Sequence, residues 1–364
     1  MPVSHSVTET LVKKEATHRT METMRAIQLT SDRELALVEI DIPPPPRDDE
    51  VQIRIEAVAL NHIDVWGWRG MAFARRELPV IIGAEAAGRI VARGSGIKDL
   101  DEGQRVALYG ARTCNTCAAC RSGRDNLCED VGGIHGFHLD GFARELVNMP
   151  ARLVVPASDG IDAIAAACAP VTFGTVEHML FDNAKLEAGE TILIQAGGSG
   201  IGSAAIQMAK AAGATVITTV GSDEKARRAL ELGADHAINY RTERFEGKVR
   251  KLTKKRGVDV VFEHVGADTW AGSMFSLRKG GRLVTCGSTT GLTAEINLFQ
   301  LFQQQLRILG SFGCSMRNMR DVLSKLAKGT VRPVIDSVIP MEEIGTGLRR
   351  LENRDVFGKL MVTL

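Results

Sequence analysis

Four cysteines, Cys114, Cys117, Cys120 and Cys128, stand in the spacing C-x2-C-x2-C-x7-C. One looped segment with that spacing can wrap four thiolates around a tetrahedral ion, which predicts one zinc. A site closed by four sulfurs leaves no position for water or substrate, so its chemistry is structural. A second cluster is made of glycines. The apolar run TILIQA leads directly into Gly197, Gly198, Ser199, Gly200, Ile201 and Gly202, and then into the helical stretch GSAAIQMAKAAG. Backbone amides at a helix start, with no Cβ in the way, can approach a pyrophosphate. The flanking strand, the helix and a second strand, ATVITTV, at the correct distance predict a dinucleotide site.

The second strand also bears on which dinucleotide binds. Enzymes that choose NAD place an acid at its end, about 20 residues past the loop, on the ribose diol. Here that place holds Val220 and Gly221, followed by Ser222, Lys225 and Arg228. A hydroxyl and cations suit a 2′-phosphate, so NADPH is expected. NADH is the lesser alternative, with Asp223 on the ribose and the cations as plain surface charge.

The elements that must position these groups fall into two textures. From Met24 to about Met149, short runs such as VQIRIEAVAL and DEGQRVALYG alternate with Gly, Pro and Asp turns, the pattern of a mostly β domain. From about Leu153, apolar strands (TILIQA, ATVITTV, VDVVFEH, GRLVTCG) alternate with helices, which implies a parallel sheet wrapped by helices. After Gly329 the chain returns to a strand, VIDSVIP, a helix and a last strand, GKLMVTL. Residues 1–23, rich in Ser, Thr, Lys and Glu, are expected to be a disordered tail. The expected division is then 24–152 with 330–364, carrying the cysteine lobe at 110–130, and a dinucleotide domain over 153–329.

Composition excludes other classes. With 45 basic and 44 acidic side chains the chain is nearly neutral, so no polyanionic partner is implied. The cluster Lys248 to Arg256 lacks aromatics and reads as one solvated helix face. No apolar stretch approaches the length of a membrane span and the start has no signal core, so a cytoplasmic enzyme is expected. Crowded cysteines also suit a reducing compartment.

The order of β domain, cysteine lobe and dinucleotide domain, with GAEAAGRIVARG and AGGSGIG, resembles the medium-chain dehydrogenase/reductase superfamily over nearly the whole chain after Met24. The resemblance implies an α/β protein, with a GroES-like mostly β catalytic domain and a Rossmann doubly wound parallel-sheet domain. Zinc alcohol dehydrogenases of that superfamily hold a catalytic zinc with a Cys in G-V-C-H-x-D, a His in G-H-E and a Cys or Glu before the helix entering the dinucleotide domain. The corresponding segments here read Leu60-Asn61-His62-Ile63-Asp64, Gly83-Ala84-Glu85 and Ala169-Pro170-Val171, so all three usual ligands are replaced. Zinc-free quinone oxidoreductases and enoyl reductases have Asn at the first position, as Asn61 is here. The segment TTVGSDEKARRALELGADHAINYR is similar to the quinone oxidoreductase stretch whose lysine and tyrosine contact NADPH, which implies that role for Lys225 and Tyr240. VDVVFEHVG and GGRLVTCGSTTG look still more like crotonyl-CoA reductase/carboxylases, whose histidine lies beside the nicotinamide, pointing to His264. Gly221, Gly287 and Thr175 complete the expected cofactor contacts. Quinone oxidoreductases generally lack the cysteine lobe, and the insertions of the carboxylating enzymes are absent, so neither branch fits throughout.

Without a Lewis acid, alcohol oxidation loses its means of stabilising an alkoxide, and reduction of a polarised double bond or a quinone is expected. Asn61 is the first candidate to donate a hydrogen bond in the cleft; its other reading is an Asn satisfying loop backbone. His264 is read as a general acid or as a plain cofactor contact. His62 and Asp64 hold the cleft floor, with His62 the second candidate acid. Glu85 reads as a buried carboxylate on neighbouring backbone, and His135 and His138 as surface or cleft-mouth histidines. Two rivals stay open: an alcohol dehydrogenase with a rearranged zinc on Glu85, His62 and Cys168, and an NADPH-binding protein without turnover. Leu306 to Gly313 resembles the superfamily's dimer-pairing strand, so a homodimer acting on a small electrophile is expected.

Overall fold

The computed structural model describes residues 23–71 and 76–364. The tail expected over 1–23 lies outside them, except that Thr23 already opens the first strand. The strands of the first part are β1 (Thr23–Ser31), β2 (Glu34–Asp41), β3 (Glu50–Leu60), β4 (Val80–Ile81), β5 (Ala86–Arg93), β6 (Arg105–Leu108), β7 (Leu146–Pro150) and β8 (Val154–Pro156). Those of the second are β9 (Thr191–Ile194), β10 (Thr215–Val220), β11 (His236–Asn239), β12 (Val258–Glu263), β13 (Leu277–Thr285) and β14 (Arg307–Gly310). The last two are β15 (Ile335–Pro340) and β16 (Lys359–Thr363).

β9 to β14 form one parallel six-stranded sheet in the order β11-β10-β9-β12-β13-β14. β9, β10 and β12 are covered on both faces, which is why their sequences run apolar without alternation. Ile192, Ile194 and Phe262 pack into the large core, and Leu193, Ile217 and Val261 into a second cluster on the opposite face. The strand order reverses direction between β9 and β12, and ligands of open α/β sheets bind at that crevice. The glycine loop leaves β9 there and His264 leaves β12 there.

The last strand goes back to the first part. β16 pairs antiparallel with β3, Leu360 opposite Leu60, and parallel with β15, so the seven-stranded sheet runs β15-β16-β3-β5-β6-β8 with β7 added on β3. β16 is an inner strand, and Leu360, Met361 and Val362 are fully buried. β2-β1-β4 make a smaller sheet. Between the two large sheets the helical segment 163–183 contains two wide turns, Ala169–Phe173 and His178–Asn183, whose amides reach back five residues, as Phe173 N does to Cys168 O. Such turns release amides from the regular helical ladder.

Candidate active site

A cleft of about 1280 Å³ lies between the parallel sheet and the seven-stranded sheet. It is lined by Asn61, His62, His264, Thr175, Gly287, Gly221, Ser222, Lys225, Tyr240 and the loop residues Gly198 to Ile201. Asp64, Gly197 and Gly202 stand behind that lining. The glycines are needed for close approach: a Cβ on Gly197 would lie 2.2 Å from Thr218 Oγ1, and one on Gly202 2.2 Å from Ala196 O. Ser199 caps the helix Gly200–Ala211, its Oγ accepting from Gly202 N at 3.0 Å. The other first-turn amides remain for an anion, so the loop fits a dinucleotide pyrophosphate.

The floor of the cleft is a buried ion pair. Lys359, at the start of β16, and Glu85, just before β5, are 3% and 0% exposed, with Nζ 3.2 Å from Glu85 Oε2. The ammonium also donates to Leu60 O at 2.8 Å and Asn61 Oδ1 at 2.7 Å, which uses its three hydrogens. Glu85 Oε1 accepts the amides of Val171 and Thr172 at 2.7 and 2.6 Å, both released by the wide turn, and the Thr172 hydroxyl donates to Oε2 at 2.7 Å. Asn61 is thereby turned inward: Nδ2 donates to Ala59 O and to Glu85 Oε2, each at 2.9 Å. Both its amide hydrogens are committed to the protein, the arrangement of an Asn that satisfies its surroundings. Asp64 accepts the amides of Asn61 at 2.8 Å and Ala84 at 3.1 Å and sits 3% exposed, its pKa pushed up to about 6 by burial. It ties two loops together and does not reach the cleft.

The rearranged metal set does not assemble. Cys168 Sγ lies 3.7 Å from Met361 Sδ, with its thiol pushed up by burial, and Glu85 is spent on Lys359 and the wide turn. Among the described residues, the only group of three or more side chains placed to share an ion is Cys114, Cys117, Cys120 and Cys128, whose sulfurs lie within 4.8 Å of one another. Amides of Thr116 and Cys117 point at Cys114 Sγ at 3.4 and 3.3 Å, and the Thr116 side chain together with these amides draws its pKa down to about 6. Convergent thiolates with N–H···S support are the donor set of a structural zinc. The lobe is also bound to the helices beyond it: Asp125 Oδ2 accepts Met316 N at 2.9 Å, and Asn126 Nδ2 donates to His178 Nε2 at 3.1 Å.

Two histidines face the cleft in different ways. His264 Nε2 pairs with Gln195 O at 2.8 Å, which assigns the proton to Nε2 and the lone pair to Nδ1; burial depresses its pKa, so the ring is neutral. The turn that carries it is fixed by Glu263, which accepts the amides of Val265 at 2.7 Å and Gly266 at 3.1 Å. His264 is thus built to accept a hydrogen bond at Nδ1, not to give a proton. His62 has no hydrogen-bond partner on its ring among the described residues and stands edge-on to Trp66; burial, then His264 and nearby cations, depress it to about 4. His135 departs from the expected mouth position. It is 8% exposed, pairs with Asp140 O at 2.7 Å and stacks on Phe142, whereas His138 lines the cleft.

At the far end, Asp223 Oδ1 accepts from Asn239 Nδ2 at 2.8 Å, and Lys225 Nζ donates to Arg354 O and Val356 O, both at 2.9 Å. Lys359, Thr172, Gln195 and Arg241 are site residues that sequence reasoning missed. The one available signal was Lys359, a lysine opening an otherwise apolar strand.

Residues 200–328 match the family of zinc-binding dehydrogenases and residues 47–159 the alcohol dehydrogenase GroES-like domain. An acryloyl-coenzyme A reductase of Metallosphaera sedula is 30% identical over 321 residues, 88% of this chain and 94% of that protein. A quinone oxidoreductase of Salmonella typhimurium is 32% identical over 262 residues, 72% of each. Among solved structures, an NAD-dependent alcohol dehydrogenase superposes with a TM-score of 0.89 at 36% identity, covering 94% of this chain and 100% of that one.

Proposed function

The chain belongs to the medium-chain dehydrogenase/reductase superfamily and is an oxidoreductase, and from that membership we propose a specific activity: NADPH-dependent reduction of a polarised double bond (enone, enal or enoyl thioester) or a quinone, without a catalytic metal. The observation that carries this reading is the Lys359, Glu85 and Asn61 triad. An ammonium with all three hydrogens placed holds the floor of the cleft, and Asn61, Ala84 and Pro170 offer no metal ligand beside it.

NADPH bound along the glycine loop would supply the hydride. The amides of Gly200 and Ile201 would hold its pyrophosphate, and the neutral His264, fixed by Gln195 and Glu263, would orient its ring by accepting at Nδ1. His62 is the group left to donate an N–H to the acceptor oxygen as negative charge develops there, which a neutral imidazole does without itself being a strong acid. The proton that completes the product then comes from solvent entering the cleft.

The edge strand β14 and the exposed side chains Leu298, Phe299, Phe302 and Phe312 beside it support a homodimer through this edge. No helix among the described residues is long and apolar enough to cross a membrane.

The test is a panel of crotonyl-CoA, acryloyl-CoA, 2-alkenals, quinones and simple aldehydes, following NADPH and NADH oxidation, with total zinc counted per chain. Turnover of an alkene or quinone with one zinc supports the proposal. Alcohol and aldehyde interconversion with two zincs would replace it with a metal-dependent dehydrogenase, as the likeness to the alcohol dehydrogenase structure would favour. Tight NADPH binding with no turnover would leave a binding protein.

A further inference from the structure

The ribose end of the cleft carries a cation, Arg241, that has no side-chain partner among the described residues. Gly221 follows the strand β10 where an NAD-choosing acid would stand, and a Cβ there would lie 2.8 Å from Tyr240 Oη and 3.8 Å from Arg241 Nε. An acid is absent at 221, and a side chain there would have to displace the exposed Tyr240 hydroxyl. Asp223, the nearest acid in sequence, is taken by Asn239, and Ser222 Oγ accepts the amide of Lys225 at 3.2 Å, leaving its own hydrogen to give. Lys225, the residue that family likeness singles out, is half-buried and directs its ammonium at two carbonyls of the 354–356 segment. Arg228 lies over the Phe357 ring at 4.0 Å, and Arg244 is paired with Glu246 at 2.6 Å. Glu243 is paired with Lys248 at 3.2 Å, and Glu224 is exposed on the rim. Arg241 is exposed, lines the cleft, and among the described residues its guanidinium makes no hydrogen bond or ion pair.

We infer that Arg241 is the specificity-determining residue for the cofactor phosphate: its planar fork takes the 2′-phosphate, with Ser222 and Tyr240 donating from either side, while Lys225 secures the 354–356 segment against the cofactor domain. A guanidinium matches two phosphate oxygens at once, and an arginine near this position is what a 2′-phosphate requires. The inference rests on the proposed use of NADPH and names the residue that produces it.

Equilibrium titration of the full chain separates the two. Dissociation constants are measured for NADPH and NADH by fluorescence, and for 2′,5′-ADP and 5′-AMP by competition, in the wild type, Arg241→Ala, Arg241→Lys and Lys225→Ala. Arg241→Ala is expected to weaken NADPH and 2′,5′-ADP by on the order of 10- to 100-fold, the range for one charge-assisted contact, with NADH and 5′-AMP within about 2-fold. Arg241→Lys recovers part of the loss. Lys225→Ala, which loosens the strap over the shared part of the cofactor, weakens NADPH and NADH alike. A wild type that binds NADH as tightly as NADPH overturns the NADPH reading and this inference together. A wild type that prefers NADPH, with the preference intact in Arg241→Ala, overturns this inference alone, and a preference lost selectively in Lys225→Ala also gives the phosphate to Lys225.

Discussion

Replacing one member of the buried pair leaves the other charged and without its counter-ion. Lys359→Met is expected to cost about 3–5 kcal/mol, the range for breaking a buried ion pair, read from urea unfolding. The double variant Glu85→Gln/Lys359→Met, with no orphaned charge, is expected to be more stable than Lys359→Met alone. His62 gives a second prediction at this scale. Because its ring stays neutral down to about 4, kcat should not titrate with it between about pH 5 and 8. His62→Ala should lower kcat by about 100-fold or more, the lower reach of such donors, and His62→Gln, which keeps an N–H, should recover part. Equal kcat in His62→Ala and wild type would remove the histidine from the reaction. The residue scale is also where sequence was least informative. Asn61 was recognisable as a replaced ligand, yet whether its amide faced substrate or protein depended on Lys359, 298 positions away. That distance has no local signature.

Elements were more legible, for reasons that can be named. β9, β10 and β12 are buried on both faces, so each reads as an unbroken apolar run, and two of the glycines after β9 are demanded by atoms 2.2 Å from where a side chain would begin, the Thr218 hydroxyl at Gly197 and the Ala196 carbonyl at Gly202. The wide turn at Ala169–Phe173 left no such trace, because its freed amides are stabilised by Glu85 and not by anything in the turn itself. The cysteine lobe makes the prediction at this scale. Asp125 accepts the first amide of the helix Met316–Ala327 and Asn126 binds His178, so the lobe supports two helices outside it. Removing metal with a chelator, or making Cys128→Ser, should raise hydrogen exchange across residues 112–134 and at 312–320, and leave β9 and β12 protected. Unchanged exchange at 312–320 would show that the lobe acts only on itself.

For the whole molecule, the parallel sheet in the order β11-β10-β9-β12-β13-β14 presents β14 as an edge, with Phe302 and Phe312 66% and 65% exposed nearby. Phe302→Glu is expected to shift a dimer to monomer by light scattering; a wild type that is already monomeric sinks the homodimer. Acid should weaken the fold in a defined window. His62 and His135 are both held near 4 by burial, below the ordinary 6.5. Their folded pKa values lie below the unfolded ones, so the unfolded chain takes up protons first, and stability falls as pH drops from about 6.5 towards 4. Asp64, raised to about 6, works the other way in the same window and offsets part of the fall. The melting temperature should therefore decline between pH 7 and 5, and His135→Phe, which keeps a ring on Phe142 without a titrating nitrogen, should make that decline shallower.

Lys359 has one more consequence, and it concerns time. The ribosome adds that residue long after Asn61 and Glu85, and β16 then has to insert between β15 and β3 as an inner strand. Until it does, the nascent chain carries a carboxylate without its counter-ion and a sheet open at β3. The glycine loop and the parallel sheet can form earlier, so a cofactor pocket exists in the growing chain before it has a floor. Chaperone protection during synthesis is most needed in that interval, over the open edge of β3.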